Sequence, residues 1–353
     1  MRSEVLQTLE VYKYACVSQV VCTEWNSAAI ANIEAQIICD PALQRLHALI
    51  FHNAIKRDEL QHFSKATQTE LKLSTYKLIA DIGSKNNELK RLSQTLKNTE
   101  IEVLLLKGLA FNDYIYNASA PRGSSDIDIL VNRADKAKFV ECFAQLATVV
   151  ELKSKHTFDG LFEETWRATN SPTVYFDLHW YLSYPSLFQF DEKAIMQRSK
   201  PHSVYTDGNL RLLSDEDHLV YLATHLLKDC DFYHYGLIDC HELICQKQPN
   251  LALSFSIANN WGVKTGLYYL LKQCSDVLQT PISNEIMQAH KPHYLRNFLC
   301  RFTITKVFSM PSKTKTTFHR SKQILSVFLF TDSLTKACKH HLSYLKRLIQ
   351  KSR

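Results

Sequence analysis

The segment RGSSDIDILV, Arg122 to Val131, sets two aspartates one residue apart inside a run that is otherwise apolar and β-branched. Such a run reads as a strand, and the Gly and Ser residues before it mark a turn. Successive side chains of a strand point to opposite faces, so Asp126 and Asp128 share one side while Ile127 and Ile129 share the other. Two like charges about 4 Å apart repel by about 4 kcal/mol at an effective dielectric near 20. A chain that keeps both on one strand needs something to offset that repulsion, and this narrows what the surrounding fold can be.

The flanks repeat the strand pattern. Residues 101–106 of IEVLLLKG form a short apolar run that ends at Gly108, residues 109–117 read as a helix, and NASAPRGSS as a polar turn. After the aspartate strand (126–131) come a helix over about 134–147 and a third strand in TVYFDLHW, Thr173 to Trp180. Residues 1–98 have helical spacing instead. PALQRLHALIFHNAI places apolar residues at helical intervals from Leu43 to Ile55, with Asp40 as N-cap and Pro41 in the first turn. The stretch 58–96 predicts one or two helices with Gly83-Ser84 as the weak point. From RLLSDEDHLVYLATHLLK onward the chain reads as helices to its end, with Ser214 as a cap and Asp215, Glu216 and Asp217 in the first turn. The expectation is an α+β chain in four parts: a helical region 1–98, a strand-bearing core 99–205, a helical domain 206–290 packed on that core, and a basic, helical extension 291–353.

With 353 residues and 45% hydrophobic content the chain can build a substantial core. The first thirteen residues already carry Arg2, Glu4, Glu10 and Lys13, and no run of 18 apolar residues occurs, so no transmembrane segment is expected and a cytoplasmic location is the default. The ten cysteines are scattered without a C-x-x-C pair, which argues for reduced core residues over a zinc site or a disulfide framework. Cys240, His241 and Cys245 are grouped, but inside the helical-looking Leu237 to Gln246, where buried structural use is the simpler reading. The net charge of +7 belongs to the C-terminus: 14 of the 42 Lys and Arg lie in 291–353 against one acid, Asp332, and the rest of the chain has an excess of acid. With aromatics interleaved, that segment suits a polyanion or an anionic membrane surface; it equally suits a helical tail packing its apolar stripe on the protein.

In FDLHW, Asp177 and His179 alternate onto one face, with Phe176, Leu178 and Trp180 on the other. If this strand lies beside the Asp126–Asp128 strand, three carboxylates converge at one sheet edge. Hard oxygen ligands of that kind suit Mg²⁺ or Mn²⁺, and two such ions can activate an attacking oxygen and stabilise a departing pyrophosphate. Gly108, at a strand-to-helix turn, would let backbone N–H groups approach a phosphate; simple turn geometry is the competing use.

A strand ending in Gly, then D-x-D on the next strand and a single later Asp, resembles the nucleotidyltransferase superfamily that includes DNA polymerase beta and the antibiotic nucleotidyltransferases. LLLKGLAFNDYIY, RGSSDIDILV, VYFDLHW and RLLSDEDHLVYLATHLL together are similar to a bacterial group of uncharacterised nucleotidyltransferases, over roughly residues 60 to 245. The resemblance implies a nucleotidyltransferase fold, a small mixed sheet with helices, and NTP binding, ATP among the donors. It implies that Asp126 and Asp128 ligate the metals and that Asp177 completes the site as ligand or as base for an acceptor hydroxyl. Lys107 and Gly108 would border the triphosphate, with Arg122, Ser124 and Ser125 on the loop entering the metal-binding strand. His179 and His225 are further candidates that also read as structural histidines. The superfamily usually has Gly-Ser after the first strand, whereas Leu109 follows Gly108 here, and the interval from Gly108 to Asp126 is longer than in familiar members.

The leading expectation is therefore transfer of a nucleoside monophosphate from an NTP to a hydroxyl acceptor, with release of pyrophosphate. The alternative is a low-turnover or inactive protein of the same fold that serves as a regulatory, nucleotide-binding or nucleic-acid-binding module. Leu109 favours the second, and three acids on an apolar sheet favour the first.

Overall fold

The computed structural model describes residues 2–18, 25–116, 120–151, 162–206, 209–229, 235–304 and 317–351. It opens with helices α1 (Arg2–Ala15), α2 (Ser27–Cys39), α3 (His47–Lys56) and α4 (Lys65–Leu96). Asp40 is followed by a tight 3₁₀ turn, Pro41–Leu46, so the regular helix predicted from Asp40 starts only at His47. Ser64 caps α4, its hydroxyl accepting the Thr67 N–H at 3.3 Å. The expected weak point at Gly83-Ser84 is absent: α4 runs through it for 32 residues, because Leu71, Leu89, Leu92 and Leu96 on either side are buried in the core.

A seven-stranded sheet follows, alternating with short helices. Its members are β1 (Val103–Leu105), β2 (Ile127–Val131), α5 (Lys136–Phe143), β3 (Ala147–Glu151), β4 (Glu163–Ala168), β5 (Tyr175–His179), α6 (Glu192–Arg198), β6 (Lys200–Pro201) and β7 (Leu210–Leu212). The strand order is β3-β4-β5-β2-β1-β7-β6. The pairs β2–β5 and β1–β7 are parallel and the other four antiparallel. The sheet thus reaches Leu212, beyond the last strand expected from sequence, and its hairpin β3–β4 was not anticipated. The helix predicted over 109–117 is instead a 3₁₀ turn, Gly108–Phe111, followed by further turns, with 117–119 outside the described residues. Asn112 explains the early exit: its side chain accepts the Arg122 N–H at 2.8 Å and donates to the Arg122 carbonyl at 2.7 Å, which draws the chain back toward β2.

Beyond the sheet lie α7 (Asp215–Asp229), α8 (Tyr235–Lys247), α9 (Leu251–Trp261), α10 (Lys264–Leu278), α11 (Asn284–Ala289), α12 (Tyr294–Thr303), α13 (Thr317–Phe330) and α14 (Leu334–Lys351). Ser214 caps α7 as expected, accepting the Asp217 N–H at 3.0 Å. The pleat divides the apolar side chains between two cores. Ile127, Ile129 and Val131 join Phe139, Phe143, Phe176 and Leu178 beneath α5, while Leu104 and Leu130 face the packed helices α1–α3 and α7–α10. Alternation along β2 places Asp128 with Leu130 on this second, helical side. Every residue of β2 is buried, as a central strand covered on both faces should be.

Candidate active site

Strands β2 and β5 lie side by side in parallel, and their register sets Asp128 directly opposite Asp177. Asp126 stands at the mouth of β2, one residue before the ladder begins. The three acids are near enough to feel one another. Burial, followed by the charges of Asp128 and Asp177, pushes the Asp126 carboxyl up to about 6, against the opposing pull of Lys107 and a hydrogen bond from Ser125. Burial acts on Asp128 in the same direction, but Lys107, His179 and His225 outweigh it and hold this carboxylate well below the usual range. The arrangement concentrates negative charge at one end of the sheet and answers it with few cations.

The supporting contacts are specific. Lys107 places its ammonium 3.3 Å from Asp128 Oδ1. His179, buried on β5, sets Nε2 3.2 Å from the same oxygen, while its Nδ1 stands 3.6 Å from Glu163 Oε2, beyond hydrogen-bond reach. Asp177 is oriented by Thr165, whose hydroxyl donates to Oδ1 at 2.7 Å. Glu163 and Thr165 belong to β4, paired to His179 and Asp177 respectively. Neither was evident from sequence, because only the β4–β5 register brings them to the site.

Gly108 has φ +54°, and a Cβ built on it would lie 2.5 Å from the Ser124 hydroxyl oxygen. The position therefore demands glycine for backbone conformation and for close approach of the two loops. Ser124 donates in turn to the Asp126 carbonyl at 2.7 Å, so a serine hydroxyl does stand beside Gly108, supplied by the second loop and not by position 109. Leu109 is buried in the core. Lys85, almost wholly buried in the middle of α4, fixes this loop by donating to the Ser124 carbonyl while paired at 2.5 Å with Asp81.

Arg122 lies on the loop entering β2, as expected, and lines the cavity, but its guanidinium is already engaged by the protein. Its guanidinium is buried, forks onto Asp239 of α8 at 2.6 and 3.2 Å, donates to the Gly123 carbonyl at 2.6 Å and lies 4.4 Å above the Tyr235 ring. Tyr116 also donates to Asp239, at 3.0 Å. Arg122 is a tie between the loop and α8, its charge already matched.

A cavity of about 540 Å³ opens over Asp126 and Asp128. Lys107, Gly108, Arg122, Ser124, Ser125 and His225 line it, as do Arg45 and His47 from the N-terminal helical region and Ser74, Lys77 and Asp81 of α4. Asp177 is one strand over and not part of the lining. His47 is 3% exposed, bonds Ser74 through Nδ1 at 3.3 Å and has no partner for Nε2. This helical wall is not legible in the sequence, since nothing in an amphipathic pattern distinguishes a cavity-lining face from a core face.

The Cys240-His241-Cys245 grouping has a structural explanation. Cys16, His241 and Glu242 cluster within the interior. Glu242 takes the N–H groups of Val17 and Ser18 at 2.6 and 3.0 Å and His241 Nε2 lies 3.3 Å from the Ser18 carbonyl, so these polar atoms secure the chain after α1 to α8, while His241 Nδ1 bonds Thr280 beyond α10 at 2.9 Å. All eight cysteines among the described residues are unpaired, but Cys39 and Cys338 are exposed, unlike the core positions expected of them.

The sequence model of an uncharacterised nucleotidyltransferase family matches residues 42–279, well over half of the chain, and the chain belongs to that family. Searches of curated proteins and of solved structures returned no match. The matched span runs from the turn before α3 to the end of α10, so it takes in both the carboxylate strands and the helices that wall the cavity.

Proposed function

We propose that the protein is a metal-dependent nucleotidyltransferase that moves a nucleoside monophosphate from an NTP to a hydroxyl acceptor. The observation that carries this reading is the alignment of Asp128 with Asp177 across parallel strands, with Asp126 adjacent and a cavity of nucleotide size above. The donor set fits a hard divalent cation. Mutually repelling, partly desolvated carboxylates are destabilised until such a charge arrives, and Mg²⁺ or Mn²⁺ takes one or two carboxylates together with substrate phosphates. Asp126 and Asp128 would hold it, with Asp177 as a third ligand or as the base. When bound, the cation neutralises charge on the triphosphate and favours in-line displacement.

The chain's own groups then have defined tasks. Lys107 and the N–H groups of the turn at Gly108 bind the phosphates. Asp177, fixed by Thr165, takes the proton of the acceptor hydroxyl as its oxygen bonds to the α-phosphorus. The α–β bridging P–O bond breaks, and pyrophosphate leaves with that electron pair. His179 keeps Asp128 in place from behind. Under this reading 99–205 is the catalytic core, 206–290 braces it through Arg122–Asp239, and 1–98 supplies the opposite wall of the site.

The test is incubation of the purified protein with each of four α-³²P-labelled NTPs, Mg²⁺ or Mn²⁺ and a cell lysate as acceptor source, beside Asp126→Asn. Label transferred by the parent and lost in the variant supports the proposal. No transfer with any nucleotide, together with no NTP-dependent thermal stabilisation, sinks it and leaves the regulatory alternative.

A further inference from the structure

Helix α12 turns its apolar side outward. Tyr294, Leu295, Phe298, Leu299 and Phe302 are 79, 61, 59, 43 and 55% exposed, whereas Cys300, Thr303 and Ile304 are buried. The inward face meets α13, where the Cys300 thiol donates to the Leu329 carbonyl at 3.5 Å. At 3.6 residues per turn the five exposed side chains fall within one arc of about 140°. Helix α14 has a second, narrower stripe: Leu334 and Leu342 are 59 and 57% exposed, with exposed Cys338 midway between them. Single exposed apolar residues are ordinary, but a contiguous aromatic and aliphatic stripe marks a surface that something covers.

Charge indicates the occupant. The segment 291–353 holds 14 Lys and Arg against one acid. That acid, Asp332, is committed to the start of α10, where it accepts from the N–H groups of Lys264 and Thr265 at 2.6 and 3.0 Å and from the Thr265 hydroxyl at 2.7 Å. Exposed Lys291 and Arg301 flank the α12 stripe. A helix with an apolar stripe beside basic residues is suited to the boundary between lipid headgroups and acyl chains. Nucleic acid also seeks basic surfaces and stacks on aromatics, but gains nothing from Leu295 and Leu299. No helix among the described residues is long and apolar enough to cross a membrane, so the contact would lie along the surface.

We propose that α12 is a peripheral anchor that binds anionic bilayers, with its five exposed apolar side chains inserted and Lys291 and Arg301 on the headgroups. The inference stands on this surface alone and holds whether or not the aspartate cavity turns over nucleotides.

The test floats the full chain with vesicles of phosphatidylcholine alone or mixed with phosphatidylglycerol, beside a Phe298→Ser, Phe302→Ser double variant. Binding to the mixed vesicles is expected, weaker by about tenfold or more with neutral vesicles, in added salt and in the variant. Both positions are more than half exposed, so the circular dichroism and melting of the variant should match the parent. In a Phe298→Trp variant the added emission should shift to the blue on the mixed vesicles. Absence of flotation with anionic vesicles, or flotation unchanged in the double variant, overturns the proposal. So does a dimer that the double variant abolishes, or single-stranded RNA binding that it abolishes while vesicles remain unbound; these assign the face to a second copy or to a polyanion.

Discussion

Asp126 and His218 give the protein two opposing responses to pH. For Asp126 the ordinary value of 3.8 rises to about 6. Between these limits the folded chain keeps a proton that the unfolded chain has released, so stability falls as pH rises, by about 3 kcal/mol in all. His218, wholly buried against the Phe111 ring with neither nitrogen hydrogen-bonded, is lowered by burial from 6.5 to about 3. Here the unfolded chain binds the extra proton, so stability is lost as pH falls through that window, by up to about 5 kcal/mol. The two effects overlap and partly cancel in the parent. Asp126→Asn should therefore raise the metal-free stability at pH 8, by about 1–3 kcal/mol, and steepen the remaining rise with pH. His218→Leu should flatten the acid limb. Urea unfolding of both variants across pH 4 to 8 checks the signs; an Asp126→Asn protein less stable than the parent at pH 8 would contradict the charge repulsion inferred at the site.

At the scale of the element, α4 and the Arg122–Asp239 tie show what the sequence reveals and what it conceals. The strand at Asp126 and Asp128 and the partner strand at Asp177 were readable because their apolar alternation is local. The β3–β4 hairpin was not, since EETWRA carries three charges in six residues and ATVVE begins where the predicted helix 134–147 ends; β4 is placed by pairing with β5, and β3 by pairing with β4. Asp239 lies 117 residues from Arg122, a distance over which periodicity says nothing. The break predicted at Gly83 failed because burial on both sides of it outweighs a propensity penalty of about 1 kcal/mol. That failure has a testable consequence. A Cβ at Gly83 meets nothing within 4 Å, so Gly83→Ala should stabilise the protein by about 0.5–1 kcal/mol, seen as a shift of the urea midpoint without a change of slope. Removing Arg122 as Arg122→Met should cost about 3–5 kcal/mol, because Asp239 is left charged and fully buried. Adding Asp239→Leu should recover much of this loss. Additive losses in the double variant would show that the two side chains act independently.

At the scale of the whole molecule, the cavity lies where the sheet end, the α7–α8 pair and the N-terminal helices meet, and each contributes part of its lining. Ties cross all three: Lys85 of α4 holds the Ser124 loop, Arg122 of that loop holds α8, and Tyr235 of α8 donates to the Arg45 carbonyl before α3. A ligand that fills the cavity should therefore tighten distant parts of the chain together. An NTP at a hundred times its Kd adds about 2.7 kcal/mol to the stability of the form that binds it. NTP with Mg²⁺ should raise the melting temperature by a few degrees, and neither should do so in an Asp126→Asn, Asp128→Asn double variant. Hydrogen exchange locates the effect: protection is expected at Lys107–Gly108, at Gln44–Ala48 and along Ser74–Asp81. Protection confined to the sheet end would mean that the nucleotide stops at the aspartates and that the helical wall, with Arg45, His47 and Lys77, faces the acceptor. Protection of α3 and α4 by the nucleotide alone would place the nucleoside against those helices and leave the side toward β5, where Thr165 holds Asp177, for the incoming hydroxyl.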